Sequence, residues 1–268
     1  MKNLIPLFAI ILCCSLAHPA HARKKDRHAA KENAVLALAE PDMMATPSRP
    51  HPIVAPIEEA YRHHVNKNEH RYGIDVSRYQ GKIDWQTVKT DKNVGYVYLK
   101  ATEGASLVDV TYRYNLDEAR KAGLKVGCYH FFSPTVAPET QFDNFSANVK
   151  LDEQDLLPII DVETRGRCSL KQFCDKLTRF LGMVEEHYGV RPIIYTSSNF
   201  YNKYLAGKYT DYKYMIARYK DEVPELTDDI KFVMWQFTAN GRINGINGPV
   251  DRSRFMDEYH LGDILIRR

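Results

Sequence analysis

The sequence predicts a single irregular, TIM-like β/α barrel that becomes helix-poor across its last three strands. Three observations lead there. From Tyr72 onward, eight short apolar, β-branched or aromatic runs recur. Amphipathic stretches of helical length separate the earlier runs. No Gly-rich phosphate turn opens a helix, as an open doubly wound sheet built for a nucleotide would require. Strand and helix in alternation imply parallel strands joined by crossover helices.

The strands are expected at residues 72–76, 95–100, 125–132, 157–162, 192–196, 214–219, 231–237 and, with the weakest pattern, 249–255. Helices are expected over 110–122, 138–149 and 169–188. The stretch 72–268 is short for eight full β/α units, and little helical pattern separates the last three strands. The barrel is therefore expected to be regular in its first five units and thinned in the last three.

Two segments precede this domain. Residues 1–22 carry Lys2, an apolar run from Leu4 to Ala17, and the small-x-small trio Ala20-His21-Ala22, the pattern of an export signal cut after Ala22. The run is too short to span a bilayer. Cys13 and Cys14 raise lipidation as the alternative, against which stands Leu12 or Cys13 at a position that calls for a small residue. Residues 23–71 open on Arg23-Lys24-Lys25-Asp26-Arg27 and run on through Ala- and Pro-containing sequence without sustained periodicity, as a linker does. The mature chain is expected to be exported, to the periplasm, the envelope or the exterior, as a monomer without a transmembrane helix.

Of the 37 Lys and Arg and 34 Asp and Glu in the chain, 27 of each fall within 72–268. The domain thus lacks the concentrated basic stripe with which a nucleic-acid binder neutralises phosphates. Of its three cysteines, Cys128 sits in an apolar run and reads as a core thiol. Cys168 and Cys174 either close a small loop as a disulfide or remain free. Paired Cys or His ligand spacing is missing, so no metal site is expected.

Barrel active sites assemble at the C-terminal ends of strands. Polar residues recur at those positions: Asp75, Glu103, His130, Asp161 and Glu163, Tyr195 and Thr196, Arg218 and Tyr219, Trp235 and Gln236, and Asp251. Each alone reads as a cap or a surface charge; their coincidence across strands marks one mouth. The sharpest element is Leu157-Pro158-Ile159-Ile160-Asp161-Val162-Glu163. Carboxylates at the end of an apolar run are costly unless bonded or used, and i, i+2 spacing on a strand turns both to one face. Crowding raises one pKa, so that one group stays protonated as a donor while its neighbour is ionised. Glycosidic bond cleavage needs that division of roles.

At these residues the sequence resembles the family 25 glycoside hydrolases, barrel-type lysozymes that act as N-acetylmuramidases. The resemblance runs from about Tyr72 to Phe255. It rests on Asp75-Val76-Ser77-Arg78-Tyr79-Gln80-Gly81, Lys100-Ala101-Thr102-Glu103-Gly104, Tyr129-His130-Phe131-Phe132, Asp161-Val162-Glu163, Ile194-Tyr195-Thr196, Trp235-Gln236-Phe237, and Gly245 through Asp251. It implies a peptidoglycan hydrolase with Glu163 as general acid/base and Asp161 orienting the reacting sugar. Asp75 and Asp251 would complete the acidic cluster.

Cleavage with retention would proceed through a carboxylate nucleophile or, favoured by the close Asp161–Glu163 pairing, through the substrate's own 2-acetamido group. The candidate substrate-binding residues are Glu103, Tyr129, Phe131, Tyr195, Arg218, Tyr219, Trp235 and Gln236. Glu103 either contacts sugar or braces the site through Lys100, Trp235 is expected to floor a sugar subsite, and His130 reads as a structural imidazole. The expected partner is the peptidoglycan glycan strand, with no cofactor. A chitinase-like hydrolase and a non-catalytic glycan-binding module are the competing readings.

Overall fold

The computed structural model describes residues 70–266. The expected export signal, Cys13 and Cys14, and nearly all of the expected linker lie outside them. Strand periodicity sets up the two layers of the fold. In β2 (Tyr96–Glu103), Tyr96 and Tyr98 turn into the barrel interior while Val97 and Leu99 turn to the surrounding helices. A strand covered on both faces must be apolar on both, which is why these runs read as continuous rather than alternating.

The other strands are β1 (Tyr72–Val76), β3 (Leu107–Val108), β4 (Lys125–Phe131), β5 (Ile159–Asp161), β6 (Ile193–Ser197), β7 (Lys213–Ala217), β8 (Met234–Gly241) and β9 (Val250–Phe255). Eight of them close on themselves in the order β1, β2, β4, β5, β6, β7, β8, β9, with β9 returning to β1. The two-residue β3 only folds back on the end of β2. All neighbouring pairs from β1 through β8 are parallel, but β9 runs antiparallel to both β8 and β1. This corrects the expectation of parallel strands throughout. The eight residues between β8 and β9 are too few for a parallel crossover, which takes a dozen or more.

Helices cover the first four crossovers: α1 (Trp85–Thr90), α2 (Tyr112–Lys121), α3 (Pro138–Asn148) and α4 (Leu170–Tyr188). The short α1 carries too little periodicity to be seen in sequence. It is started by Asp84, whose carboxylate accepts from the Thr87 backbone N–H at 3.1 Å. Ser169 and Gln172 form a capping box that starts α4, and Gly189 ends it at φ 66°, in the left-handed region that glycine tolerates. After β6 only the segment Ser198–Phe200, continued by Tyr201–Leu205, is helical, and no helix links β7 to β8. The barrel is closed and helix-poor at its end, as the sequence indicates.

The barrel interior is filled by Tyr96, Tyr98, Ile193, Met215, Met234 and Phe255. Tyr98 donates to the Leu157 carbonyl and Tyr96 lies 3.1 Å from Ser253 Oγ, so their buried hydroxyls are satisfied. The C-terminal segment seals the end where β5 begins, with Ile264 fully buried and its carbonyl accepting from Leu157 N–H. Cys128 is buried, and burial pushes its thiol pKa up. Cys168 and Cys174 stand as free thiols rather than a disulfide. The Cys168 thiol is turned to the Pro134 carbonyl, at 3.1 Å, and so is engaged away from its expected partner. No described helix is long and apolar enough to cross a membrane.

The interior tyrosines fit because glycine faces them. A Cβ at Gly73 would overlap the Tyr96 ring. Gly73→Ala is expected to lower stability by about 1–3 kcal/mol, read from urea denaturation; an unchanged midpoint would show that the ring has room to move aside.

Candidate active site

The strand register brings the carboxylates together. Asp75, near the end of β1, pairs directly with Asp251 across the antiparallel β9. Because β9 is reversed, Asp251 reaches the mouth from the beginning of its strand, while Asp75 reaches it from the end of its own. Asp161 closes β5, in register with Phe131 on β4 and Tyr195 on β6. Glu163 follows just beyond the strand, past the buried Val162, and stands exposed at the mouth. All four line one cavity of about 190 Å³, together with Lys100, Tyr129, Phe131, Ile159, Tyr195, Met215, Tyr219 and Gln236.

Gln236 organises one side of this cavity. Its Nε2 donates to Asp75 Oδ2 at 3.0 Å, and its Oε1 accepts from the hydroxyls of Tyr195 at 2.8 Å and Tyr219 at 2.7 Å. Burial removes Asp75 from water and, although Gln236 pulls the other way and Asp251 adds repulsion, raises its pKa to about 8. Asp251, partly desolvated and repelled by Glu163, is raised to about 6.

The other side is built on Asp161, Glu163 and Lys100. Asp161 is raised well above the ordinary carboxylate range, chiefly by burial and then by the charge of Glu163, with Lys100 acting against both. Glu163 is also raised, by the protein around it, against the pull of Tyr195 and Lys100. The two groups therefore hold a proton as a pair at pH values where isolated carboxylates have lost it. Asp161 Oδ1 is buried without a hydrogen-bond partner. A buried acceptor left open is costly unless something else fills it.

Of the sequence-predicted binding residues, Tyr129, Phe131, Tyr195, Tyr219 and Gln236 line the cavity with the four acids. Arg218 lines an adjoining groove that shares Glu163, Tyr195 and Tyr219 with it. Glu103 stands outside, ion-paired to Lys100 at 2.6 Å, which is the bracing alternative. Trp235 is also outside, contrary to its expected place beneath a sugar. It alternates with the inward Gln236, is 5% exposed in the outer layer, and donates from Nε1 to the Arg218 carbonyl at 2.9 Å.

His130 is fully buried, 2.7 Å from Thr102 Oγ1 and stacked on Phe180, and burial lowers its pKa to about 4. It is a neutral structural imidazole. The sequence reading missed Lys100, Met215 and Ile159 as lining residues. Lys100 is the one cation among the described residues lining the cavity, and its signal was its place two residues after Tyr98 on the inward face of β2. Among the described residues, no group of three or more His, Cys, Asp or Glu is arranged to hold a metal ion.

Comparison with known proteins agrees with this geometry. The family model for glycosyl hydrolases family 25 matches residues 74–246. The chain is 39% identical over 188 residues to the uncharacterized protein YegX of Escherichia coli, covering 69% of each chain. It is 31% identical over 194 residues to an autolytic lysozyme of Clostridium acetobutylicum, covering 72% of this chain and 58% of that one. Among solved structures, a family 25 glycosyl hydrolase from Bacillus anthracis superposes with a TM-score of 0.65 at 33% identity, over 73% of this chain and 94% of that one.

Asp75 binds its proton more tightly in the folded chain than in the unfolded one, where an aspartate titrates near 3.9. Its contribution to stability is therefore full below about pH 4 and is lost as pH rises towards about 8, by up to about 1.4 kcal/mol per pH unit. Asn carries no such proton. Asp75→Asn is expected to match the wild type near pH 4 and to exceed it by a growing margin up to pH 8, in thermal melts over a pH series. A margin independent of pH would contradict the buried, protonated state of Asp75.

Proposed function

The chain belongs to glycosyl hydrolase family 25 and is a glycoside hydrolase of the lysozyme type, and from that premise we propose that it cleaves the β-1,4 bond between N-acetylmuramic acid and N-acetylglucosamine, with retention of configuration. The observation that carries the reading is the pairing of Asp161, with its unpartnered buried oxygen, and Glu163 at one acidic mouth. An acetamido N–H of the substrate is a donor that would satisfy Asp161 Oδ1. Accepting that bond favours the ionised form of Asp161 and leaves the shared proton on Glu163.

Glu163 then gives its proton to the glycosidic oxygen as the bond to the anomeric carbon breaks. The acetamido oxygen closes on that carbon, while Asp161 holds the N–H and balances the positive charge. In the second half, the Glu163 carboxylate takes a proton from water as the water oxygen attacks the anomeric carbon from the leaving-group side and reopens the ring. Two inversions give net retention, and Glu163 is again protonated. Asp75, protonated near neutral pH, and Asp251 across from it would orient the acetamido group and the water. The aromatic faces and hydroxyls of Tyr129, Tyr195 and Tyr219 would bound the sugar. An export signal at residues 1–22, removed after Ala22, would place the enzyme where peptidoglycan is.

Purified sacculi incubated with the protein and reduced with borohydride are expected to yield reduced muramic acid at new chain ends. Glu163→Gln is expected to lower that yield by about 10³-fold or more while the fold and glycan binding persist, since it removes the acid and the base together. Reduced glucosamine ends would move the cut to the other bond. Turnover of chitin in place of sacculi would favour the chitinase-like reading, and wild-type activity in Glu163→Gln would remove the acid assignment.

A further inference from the structure

The outer side of the barrel at β7, β8 and β9 carries a groove of about 500 Å³ that the hydrolytic scheme does not use. It is open because no helix covers this side. Tyr72, Trp235, Phe237 and Arg254 form its wall, with Tyr219 and Lys220 also lining it; Asp221 is the one acid there. Tyr219 lines the acidic cavity as well, and its hydroxyl is tied to Gln236 at 2.7 Å. One ligand passing over the half-exposed Tyr219 ring would reach both.

The groove differs from the cavity in charge and in the use of its aromatic residues. The Arg254 guanidinium lies over Trp235, 5.0 Å from the ring centroid. It occupies an indole face where a pyranose would otherwise stack, and a guanidinium stacked in this way keeps its N–H donors free for an acceptor in the plane of the group. Its ion-pair partner, Asp257, is 3.8 Å away, 84% exposed and shared with Arg71. Arg252 does not line the groove but backs its wall, lying over Tyr72 and Phe237 at 5.5 and 5.7 Å. Lys220 is exposed and makes no ion pair among the described residues. Guanidinium and ammonium groups with donors to spare, on an aromatic base, suit a carboxylate.

We propose that this groove is a carboxylate-binding subsite that takes the anionic stem peptide of peptidoglycan while the sugar occupies the acidic cavity. The proposal rests on the muramidase reading above. A peptidoglycan strand presents uncharged rings bearing peptide branches with several carboxylates. The cavity offers the ring one cation among four carboxyl groups, whereas Lys220 and Arg254 in the groove give the anionic branch a place of opposite sign.

The test is calorimetric titration of the full chain with the N-acetylglucosaminyl-N-acetylmuramic acid disaccharide, with and without its stem peptide. The wild type is expected to bind the peptide-bearing form about fivefold or more tightly than the bare one, as one or two partly exposed charge-assisted contacts allow. Arg254→Gln, and separately Lys220→Gln, should erase most of that preference while affinity for the bare disaccharide holds, and added salt should weaken it. Equal affinities in the wild type, absence of binding by either ligand, or a preference that survives in both variants would overturn the subsite. Lys220→Gln changes an exposed side chain and keeps the test usable if Arg254→Gln fails to fold. Hydrolysis of peptide-free glycan by the wild-type preparation separates the two readings. Cleavage without a binding preference rejects the subsite alone, and a preference without cleavage rejects the muramidase reading.

Discussion

Taking Asp161 out of water at the end of a fully apolar strand is the constraint around which the rest of the site is arranged. Its neighbours on β5, Ile159 and Ile160, are buried in the inner and outer layers, so the strand cannot shift to expose it without unpacking both. A charge held there is unfavourable unless countered, and the protein counters it only in part. Lys100 approaches from β2 but is shared with Glu103, and Oδ1 is left without a donor. Glu163 then adds like charge. The outcome is proton retention, and a retained proton beside an open acceptor is what glycoside cleavage with acetamido participation uses.

Closure of the barrel supplies the other half of the cluster. A parallel eighth strand would carry Asp251, the second residue of β9, to the opposite end of the barrel. The short β8–β9 connection reverses the strand and sets Asp251 directly opposite Asp75. Like charges in register weaken a sheet, and the cost is limited by keeping Asp75 protonated and bonded to Gln236. That short connection leaves no room for a helix between β8 and β9, and the longer link from β7 to β8 is also without one. There the surface is closed by arginines stacked on aromatic rings in place of a second apolar layer. The acidic cluster and the uncovered side of the barrel thus both lie where the last strands are joined without helices.

Much of this was legible in the amino-acid order. Buried strands such as β1 and β4 announce themselves because both faces are apolar, and α4 because its capping box and Gly189 stop and start a strongly amphipathic run. The four acids stood out because charge at the end of an apolar run is rare. The direction of β9 was not legible from its residues, since a short strand with alternating polarity reads the same either way; only the length of the connection carried the information. Trp235 and Gln236 show a second limit. Adjacent residues on a strand face opposite sides, and without the register the sequence does not say which of the two enters the barrel. Lys100 was hidden by its partner, because a Lys three residues before a Glu reads as a surface ion pair.

The central claim is that Asp161 and Glu163 share a proton and that ligand binding places it on Glu163. Carboxyl carbon NMR of the full chain, with these two groups assigned by Asp161→Asn and Glu163→Gln, measures it directly across a pH series, free and with a chitobiose fragment bound. The account predicts linked titrations displaced above the usual carboxylate range in the free protein, and on binding a fall in the Asp161 pKa with a rise in that of Glu163. Independent titrations near pH 4 in both states would contradict it.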